Sequence, residues 1–490
     1  MRRSVIAALL GGLLTTAAFA PLNIWPGVVL GPLLLLYALR GRSPRQALLL
    51  GGLYGFAHFL SGVWWVLIST WVYGGAPLSL SLLLLLMLTL YLSLFPALAA
   101  GLQAWLHPPI SGLRGLWLWP ACWMFAEFAR DTLFDGFPWF SLGYVATEVP
   151  GGLKLAAVLG VHGVSAVYAL LAVALLTLLA GGARLLAAGA VLAVITAHVL
   201  LPAPSHWTQA AGEPIEAVLI QGNMSQDQKW RPENRLPTIE LYERMTSQAW
   251  PADLVIWPEA AIPLPYDYVT WLFEELDLRA REAGGTLYAG ILTQQDGATY
   301  NTVYALGQDQ GRYVKQHLVP FGEYIPAPAW IRPMFDVLNL PFPSIAVGLD
   351  GQRSLDVNGH AVSMSICFED VFPMEVRETS RHAGLLVNVT NDAWFSGSAA
   401  PQQHLQIARL RAAESGRSLL RVANTGISAV IGPDGMVEQQ LDWGVRGSLR
   451  ARVVPRDGLT PYQRWGRWPL LGYLAVALLL GLLMRRRLVT

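Results

Sequence analysis

Three side chains that can perform nucleophilic chemistry follow short apolar runs in the second half of the chain. Glu259 stands in WPEAAIP, Lys315 in RYVKQHLVPFGEYIP and Cys367 in SICFED. A cysteine attacks well only as the thiolate, so it needs a nearby base and a positive charge that lowers the pKa of the thiol. Glu259 can supply the base and Lys315 the charge. The lysine and the backbone N–H after Cys367 can then stabilise a developing oxyanion.

Each of these residues also has an ordinary structural interpretation when it is considered alone. Cys367 can be a small buried hydrophobe, Glu259 a carboxylate at a helix start, and Lys315 a solvated surface lysine. The second cysteine, Cys122, lies in an apolar stretch, so the sequence offers neither a disulfide framework nor a Cys-rich metal site. The joint occurrence of an acid, an amine and a thiol with their flanking motifs favours the catalytic interpretation.

The segments that carry these side chains indicate an α/β domain, because short apolar runs alternate with polar helical stretches. The predicted strands are 215–221, 253–259, 286–292, 362–368, 384–390 and 427–432, and the predicted helices lie near 234–247, 269–283 and 403–416. About 240 residues suffice for one domain with a full core. Open α/β domains commonly expose functional groups where their strands end, which is where the acid, the amine and the thiol stand.

The whole chain is too apolar for an ordinary soluble enzyme, with 53% hydrophobic and 14% charged residues among 490. A membrane-spanning helix needs roughly 20 apolar residues. Eight candidate spans are 4–20, 24–39, 47–72, 78–106, 116–128, 156–179, 185–201 and 468–484. The predicted domains are a seven-span membrane domain (1–205), a catalytic domain (213–455) and a C-terminal transmembrane helix with a basic tail (467–490).

The arginines of the short loops predict the orientation, because positive residues stay cytoplasmic. If eight spans alternate, one side carries Arg2, Arg3, Arg40, Arg42, Arg45, Arg114, Arg184, Arg485, Arg486 and Arg487. Arg130 and Lys154 occupy the opposite short loops. Both termini are then cytoplasmic, and the catalytic domain lies outside, in the periplasm of a bacterium. At the N-terminus, Ala18-Phe19-Ala20 after an apolar run also resembles a cleavable signal peptide, which charge parity does not exclude.

The distribution of charge argues against two other classes of function. A net charge of +1 without a basic stripe or zinc-finger spacing gives no reason to expect nucleic-acid binding. Ionisable side chains are nearly absent from the predicted spans, which argues against a transport pathway. Those present are Glu127, His58, His162 and His198. Glu127 is expected to have a structural role, paired with Arg130 at i+3, with a functional role as the alternative. Four histidines in the second half of the chain show no metal-ligand spacing and are predicted to be structural or surface residues: His317, His360, His382 and His404.

The order of four segments carries a family resemblance. WPEAAIP, KQHLVPFGEYIP, SICFED and NDAWF resemble the signature segments of bacterial apolipoprotein N-acyltransferases, which are members of the nitrilase or carbon-nitrogen hydrolase superfamily. The similarity continues through QGNMSQDQKW, GLTPY, WLWPACW and GFPW, so it covers nearly the whole chain. It also favours retention of the first apolar stretch as a transmembrane helix.

The resemblance implies a fold and a set of site residues. The fold is a four-layer α-β-β-α sandwich joined to a multi-pass membrane domain of about eight spans, and the catalytic triad is Glu259, Lys315 and Cys367. Two further acids, Glu323 and Glu369, are implied to support the triad.

Three aromatic residues are implied to bind substrate. Trp230 and Trp394 match family tryptophans around the substrate cleft, with plain core packing as the alternative. Phe368 stands where family members often carry tyrosine, so an aromatic wall is kept but the phenolic hydroxyl is absent.

The implied reaction is a two-step acyl transfer at the bacterial inner membrane. Cys367 takes an acyl chain from a phospholipid, implied to be phosphatidylethanolamine, as a thioester. The α-amine of S-diacylglyceryl-cysteine at the N-terminus of an apolipoprotein then accepts the chain. An α-amine has a pKa of about 7.7 to 8.0, so a useful fraction is neutral near pH 7. The reaction requires no metal and no organic cofactor, and a lid at Pro341-Phe342-Pro343-Ser344-Ile345 would restrict hydrolysis.

Two alternatives remain on the sequence alone. A membrane-anchored nitrilase-type amidase would use the same triad with water as the acceptor, but a small soluble amide gives no reason for eight spans. A transporter or scaffold with an inactive domain is opposed by the intact triad and by the scarcity of charges in the spans.

Overall fold

The computed structural model describes residues 1–107, 111–324, 345–349 and 351–489. The chain forms two compact units, one made of Met1–Leu67, Pro77–Ala203 and Pro461–Thr490, the other of Ile68–Ala76 and Pro204–Thr460. The helices of the described residues are α1 (Arg2–Ala17), α2 (Gly27–Leu39), α3 (Pro44–Gly62), α4 (Leu78–Leu106), α5 (Leu113–Thr132), α6 (Gly152–Ala180), α7 (Arg184–Leu200), α8 (Gln226–Lys229), α9 (Arg235–Ala249), α10 (Thr270–Ala283), α11 (Pro373–Ser380), α12 (Ala400–Ser415), α13 (Pro461–Trp465) and α14 (Trp468–Val489).

The first unit is helical. Among the described residues, three helices are long and apolar enough to cross a membrane: α4, α6 and the Trp468–Arg486 part of α14. The apolar helices α2 and α7 are shorter. By length and composition, fewer described helices qualify than the eight spans that the sequence predicts. The number of eight spans stays a prediction.

The third predicted span, 47–72, does not form one helix. Helix α3 ends at Gly62, and a separate six-residue π-helix covers Ile68–Tyr73. Residues Ile68–Ala76 cluster with the second unit. One of their contacts there is the hydrogen bond from Ser69 Oγ to the backbone oxygen of Trp394, 3.2 Å long. An apolar composition therefore extended the predicted span past the end of the helix.

Glu127 has a buried structural position in α5, but its expected pairing with Arg130 is wrong. Its Oε1 accepts hydrogen bonds from Trp123 Nε1 at 2.9 Å and from the backbone N of Leu142 at 3.0 Å. Arg130 instead donates to Ser141 Oγ at 2.7 Å. Both side chains thus tie α5 to the loop that follows it, because a buried charged group needs hydrogen-bond partners.

The described residues of the second unit form two six-stranded sheets and a short two-stranded one. Its strands are β1 (Thr208–Ala210), β2 (Ile215–Gln221), β3 (Leu254–Ile256), β4 (Thr286–Gln295), β5 (Ala298–Gly307), β6 (Gly311–Val314), β7 (Leu355–Val357), β8 (His360–Ile366), β9 (Leu385–Thr390), β10 (Leu419–Ala423), β11 (Ser428–Ile431), β12 (Val437–Leu441), β13 (Gly447–Val453) and β14 (Arg456–Gly458).

Both large sheets have a parallel centre and antiparallel edges. The first has the order β13-β2-β3-β4-β5-β6, and its β2, β3 and β4 are parallel. The second has the order β12-β11-β10-β9-β8-β7, and its β8, β9 and β10 are parallel. Strands that are buried on both faces read as continuous apolar runs, which is why the sequence revealed β2, β3, β4, β8 and β9.

The two sheets pack face to face and each carries helices on its outer face. Alternate side chains of β2 show this: Ala217 and Leu219 lie in the core between the sheets, whereas Val218 and Ile220 lie in the core under α9 and α10. On the second sheet, α11 and α12 cover the outer face, where Val376 packs. The predicted α/β domain is therefore confirmed, and its layers are α-β-β-α.

Candidate active site

Glu259, Lys315 and Cys367 each follow a strand of the sandwich, after β3, β6 and β8 respectively. Lys315 Nζ lies 3.4 Å from Glu259 Oε1. Both charges act electrostatically on the Cys367 thiol. The structure therefore brings together the three side chains that the sequence singled out, although they are separated by more than fifty residues along the chain.

Lys315 is fully buried and is shared by two carboxylates. Its Nζ donates to Glu323 Oε1 at 2.8 Å, closer than to Glu259. Burial alone lowers the pKa of the lysine, but the carboxylates of Glu323 and Glu259 outweigh it and hold the pKa above its ordinary value. Lys315 is thus a permanent cation in the site.

Asn301 on β5 links the two carboxylates, and no sequence motif indicated it. Its Nδ2 donates to Glu259 Oε1 at 2.7 Å and approaches Glu323 Oε1 at 3.4 Å. Glu323 Oε2 also accepts from the backbone N of Val319 at 2.8 Å. Glu323, predicted as a supporting residue, therefore anchors the lysine and is itself anchored by its own loop.

The turn that carries Glu259 needs a glycine on the neighbouring strand. Ala260 has a left-handed φ of +43°. A Cβ added to Gly290 on β4 would lie 2.3 Å from the backbone oxygen of Pro258 and 3.0 Å from the Cα of Glu259. Gly290 thus allows the backbone of the glutamate to pass directly over β4.

Cys367 begins the 3-10 turn Cys367–Val371 with a φ of +53°, which is unusual for a residue with a side chain. Burial and the negative charge of Glu259 raise the pKa of its thiol well above the ordinary value. Lys315 and a hydrogen bond with Thr390 act in the opposite direction but do not outweigh them. The side chain of Cys367 is therefore a neutral thiol at rest, so a nucleophilic role would require a base that takes its proton.

Glu369 ties the turn of the cysteine to the loop of the lysine. Its Oε2 accepts from the backbone N of Ile366 at 2.6 Å, and its Oε1 accepts from the backbone N of Gln316 at 2.6 Å and of His317 at 3.1 Å. The hydroxyl of Tyr313 also donates to it. Burial raises the pKa of Glu369 to about 7 against the effect of these donors. The geometry gives Glu369 a positioning role.

The three predicted aromatic residues lie in different environments. Trp230 follows α8 and is 40% exposed, which argues against plain core packing. Trp394 is half-buried, and its ring meets that of Tyr73 edge-on at 6.4 Å. Phe368 is buried against Phe372, with the ring centres 5.2 Å apart. Trp230 and Trp394 are therefore available to a ligand, whereas Phe368 helps to hold the nucleophile turn.

A buried ring of four charged residues lies behind the nucleophile turn. His404 Nε2 is 2.8 Å from Asp370 Oδ1 and its Nδ1 is 3.2 Å from Asp392 Oδ1. Arg421 NH2 is 2.9 Å from Asp392 Oδ2, and its NH1 is 3.6 Å from Asp370 Oδ2. Because both imidazole nitrogens face carboxylates, His404 must donate from both and is an imidazolium.

The pKa values of this charge ring follow from its geometry. Burial alone would lower the pKa of His404, but the aspartates raise it above the ordinary value. Arg421 and His404 lower the pKa of Asp392 to about 2 against the effect of burial. His404 was predicted to be structural or on the surface, and the structure places it in the interior. The aspartates stand in the SICFED and NDAWF motifs, but nothing in the sequence indicated their partners.

No group of three or more His, Cys, Asp or Glu side chains in the described part of the chain is arranged to hold a metal ion. The predicted lid lies mostly outside the described residues, which include only its last member, Ile345. The backbone N of Ile345 donates to the backbone oxygen of Glu323 at 2.9 Å.

Comparison with protein families agrees with both units. The model of the apolipoprotein N-acyltransferase N-terminal domain matches residues 11–174, and the carbon-nitrogen hydrolase model matches residues 217–458. A relative from Methylococcus capsulatus named apolipoprotein N-acyltransferase is 39% identical over 96% of this chain and 94% of its own length. The chain belongs to the apolipoprotein N-acyltransferase family.

Other members of the family are similar over almost the full length. The relative from Nitrosomonas europaea is 38% identical over 97% of this chain and 96% of its own. Among solved structures, Nit3 of Saccharomyces cerevisiae, a nitrilase-superfamily member, is 18% identical, covers 54% of this chain and 98% of its own, and has a TM-score of 0.38.

Proposed function

We propose that this protein transfers a fatty acyl chain from a phospholipid, through a Cys367 thioester, to the N-terminal α-amine of an S-diacylglyceryl-cysteine apolipoprotein. The observation that carries the proposal is the convergence of Glu259, Lys315 and the Cys367 thiol at the ends of three strands. Membership in the apolipoprotein N-acyltransferase family supports the donor and acceptor classes.

In the first half-reaction, Glu259 accepts the proton of the Cys367 thiol as the sulfur attacks the ester carbonyl of the phospholipid. A base is required because the thiol is neutral at rest. Lys315 Nζ and the backbone N–H after Cys367 stabilise the oxyanion that forms. The carbon–oxygen bond then breaks, the proton on Glu259 moves to the departing alkoxide, and lysophospholipid leaves behind a thioester.

In the second half-reaction, the neutral α-amine of the apolipoprotein attacks the thioester carbonyl. Glu259 accepts a proton from the amine and returns it to the sulfur as the carbon–sulfur bond breaks. The amide product leaves, and the enzyme returns to its starting state. The two halves form a ping-pong cycle in which one base serves twice.

The geometry supports separate roles for the two glutamates that share Lys315. Glu323 makes the shorter contact with the lysine and is anchored by a backbone N–H, so it holds the cation in place. Glu259 makes the longer contact and keeps its capacity to accept a proton. Asn301 donates to Glu259 Oε1 and orients that carboxylate.

We also propose how the chain is arranged in the membrane. Eight spans with both termini in the cytoplasm would leave the catalytic domain of 213–455 in the periplasm of a bacterial inner membrane, joined to spans at both ends. The distribution of arginines in the short loops and the apolar helices support this arrangement. Trp230 and Trp394 would contact the acyl chains, and phosphatidylethanolamine would be the donor.

The test is intact-protein mass spectrometry of the purified full chain after incubation with phosphatidylethanolamine and no acceptor. Wild type should gain the mass of one acyl chain, the adduct should be released by hydroxylamine, and Cys367→Ala should gain nothing. A folded wild type that leaves the lipid intact and carries no adduct would remove phospholipid as the donor.

The acceptor is tested next, on the loaded enzyme. A diacylglyceryl lipopeptide with a free α-amine should take up the chain and discharge Cys367, whereas the same peptide with an acetylated α-amine should not. Release of free fatty acid at one rate with either peptide would instead favour the amidase function, with water as the acceptor.

A further inference from the structure

Asn388 is a buried polar side chain for which the triad gives no role. It lies on β9 and is 0% exposed. Its Oδ1 accepts a hydrogen bond from Arg421 NH1 at 2.6 Å. Its Nδ2 donates to Ser365 Oγ at 3.0 Å and to the backbone oxygen of Cys367 at 3.2 Å. One of these three bonds therefore reaches the backbone of the cysteine itself.

The partners of the Asn388 amide fix which of its ends faces the cysteine. A guanidinium can only donate and a carbonyl oxygen can only accept, so Oδ1 belongs on the side of Arg421 and Nδ2 on the side of Cys367. Ser365, Asn388 and Arg421 stand opposite one another on the parallel strands β8, β9 and β10. Asn388 is thus held from both neighbouring strands.

The backbone of Cys367 adopts a conformation that needs such support. Its φ of +53° lies in the left-handed region, which is unfavourable for a residue with a side chain. On the N-terminal side, the backbone N of Ile366 donates to the buried Glu369 at 2.6 Å. On the C-terminal side, the backbone oxygen of Cys367 accepts from Asn388. Buried side chains therefore hold this conformation from both sides.

The carbonyl group that Asn388 holds belongs to the same peptide unit as the backbone N–H of Phe368. A peptide unit is planar, and in its usual trans form the C=O and the N–H point in opposite directions. A hydrogen bond that fixes the carbonyl oxygen of Cys367 therefore also fixes the direction of this N–H. In the proposed reaction, the same N–H is the backbone donor to the oxyanion.

We infer that Asn388 is a positioning residue that acts through the Cys367–Phe368 peptide and aims its N–H at the oxyanion that forms when Cys367 attacks an acyl carbonyl. This inference rests on the proposed function, because it takes Cys367 as the nucleophile and this N–H as an oxyanion donor. Such a donor stabilises the transition state only at hydrogen-bond distance from the developing charge. A small rotation of the peptide plane would therefore slow acyl transfer and leave the thiol reactive.

Two reagents that modify a thiol differ in whether an oxyanion forms. With p-nitrophenyl acetate, the sulfur attacks the carbonyl carbon, an oxyanion forms, the carbon–oxygen bond breaks and p-nitrophenolate leaves. With iodoacetamide, the sulfur attacks the methylene carbon, the carbon–iodine bond breaks and iodide leaves without an oxyanion. In both reactions Glu259 takes the thiol proton. The ratio of the two second-order rate constants therefore separates oxyanion stabilisation from the reactivity of the thiol.

The experiment measures both rate constants by intact-protein mass spectrometry of the purified full chain at pH 7. Cys367→Ala corrects for reaction at any other residue. In Asn388→Ala the ratio of acylation to alkylation should fall roughly tenfold to a hundredfold, because the donor is displaced while the thiol remains. Ser365→Ala is the matched control, because it removes the other acceptor of the same Nδ2 and should keep the wild-type ratio.

Asn388→Asp is the second variant and decides the question if Asn388→Ala does not fold. It keeps the size of the side chain and the oxygen that faces Arg421, but it has no N–H for the backbone oxygen of Cys367. Its ratio should fall as in Asn388→Ala. An effect of its charge on the thiol alone would lower both rate constants and leave the ratio unchanged.

A wild-type ratio in the folded Asn388 variants would overturn the inference, and two rate constants that fall together would show a packing role instead. Wild type could react with p-nitrophenyl acetate and form no thioester from phosphatidylethanolamine. The proposed phospholipid donor then fails, while the ratio still decides the role of Asn388. A wild type in which p-nitrophenyl acetate leaves Cys367 unmodified would overturn both.

Discussion

Two charged clusters of the catalytic unit satisfy their charges differently. In the charge ring of Asp370, Asp392, His404 and Arg421, every residue has two oppositely charged partners within 4 Å. In the site cluster of Glu259, Glu323 and Lys315, two carboxylates share one lysine.

This difference distinguishes a cluster that is expected to stabilise the fold from a cluster that is expected to take part in the reaction. A closed ring with all its charges paired has nothing left to exchange, so it fixes β9, β10 and α12 behind the nucleophile turn. In the site cluster two carboxylates share Lys315, and we expect Glu259, which makes the longer contact with that lysine, to accept and return a proton. We therefore expect substitutions in the site cluster to reduce activity and substitutions in the charge ring to reduce stability.

The largest effect is expected for Glu259→Gln. This change removes the proposed proton acceptor but keeps the shape of the side chain, so acyl transfer should fall roughly 10³- to 10⁴-fold. The free energy of unfolding should change by less than about 1 kcal/mol, because Lys315 keeps its 2.8 Å contact with Glu323. Single-turnover kinetics and denaturant melts of the full chain measure the two quantities. A variant that retains a tenth of wild-type activity would exclude Glu259 as the base.

Arg421→Met is expected to reduce stability strongly and to leave the pH dependence of the reaction unchanged. It leaves Asp370 and Asp392 short of one buried cation, so the free energy of unfolding should fall by about 3 to 5 kcal/mol. The protein that still folds at low temperature should keep the acidic limb of its pH–rate profile at the wild-type position. Arg409→Met is the control, since the Nε of Arg409 donates to the backbone oxygen of Gly435. Equal melting of Arg421→Met and wild type would contradict a supporting role for the ring.

Gly290→Ala should reduce both activity and stability. The loss of activity should be smaller than for Glu259→Gln, and the loss of stability smaller than for Arg421→Met. The new Cβ would lie 2.3 Å from the backbone oxygen of Pro258, so the turn that carries Glu259 must move. A displacement of this kind is expected to reduce the transfer rate about 10²-fold and to destabilise the fold by about 1 to 3 kcal/mol. Gly189→Ala in α7 is the control, because an added Cβ there meets no atom within 4 Å and the residue does not have the left-handed backbone that disfavours alanine. A fully active Gly290→Ala would mean that the turn tolerates the shift.

The smallest effect is the response of the charge ring to pH. The folded-state pKa of Asp392 is lowered from 3.8 to about 2, so it contributes about 2 kcal/mol of stability that is present above pH 4 and is lost as pH falls through 2. The pKa of His404 is raised, so its contribution is full below pH 6.5 and is lost as pH rises through the folded-state value. Melting temperatures of wild type and Asp392→Asn between pH 2 and 9 measure both. Parallel curves for the two proteins would contradict the assignment.

Prediction from the sequence succeeded for features that can be recognised from residues adjacent in the chain. The strand IEAVLIQ is apolar on both faces because it is buried between a helix layer and the other sheet, and such a run is visible without a structure. Cys367, Glu259 and Lys315 were also visible, since each side chain stands just after such a run within an ordered set of motifs.

Prediction was weakest where burial contradicts residue type. Strand β10 was missed because Arg421 interrupts LLRVA, and an arginine normally indicates solvent rather than the inside of a sheet. The arginine is 0% exposed there because its charge is paired by aspartates that come 29 and 51 residues earlier. Glu127 was assigned the wrong partner because it too is a buried charged residue, and its hydrogen-bond partners are not the nearest opposite charge in the sequence.

The α/β class of the second unit and the apolar character of the first could be read from the amino-acid sequence alone, and so could the three residues of the proposed triad. Which charges meet became visible only in the folded structure. Lys315 is shared by Glu259 and Glu323, His404 closes a ring, and Lys229 is buried with no hydrogen-bond partner among the described residues. The physical reason is that periodicity and motifs report the neighbours of a residue along the chain. The energy of a buried charge depends instead on groups that only folding brings near it.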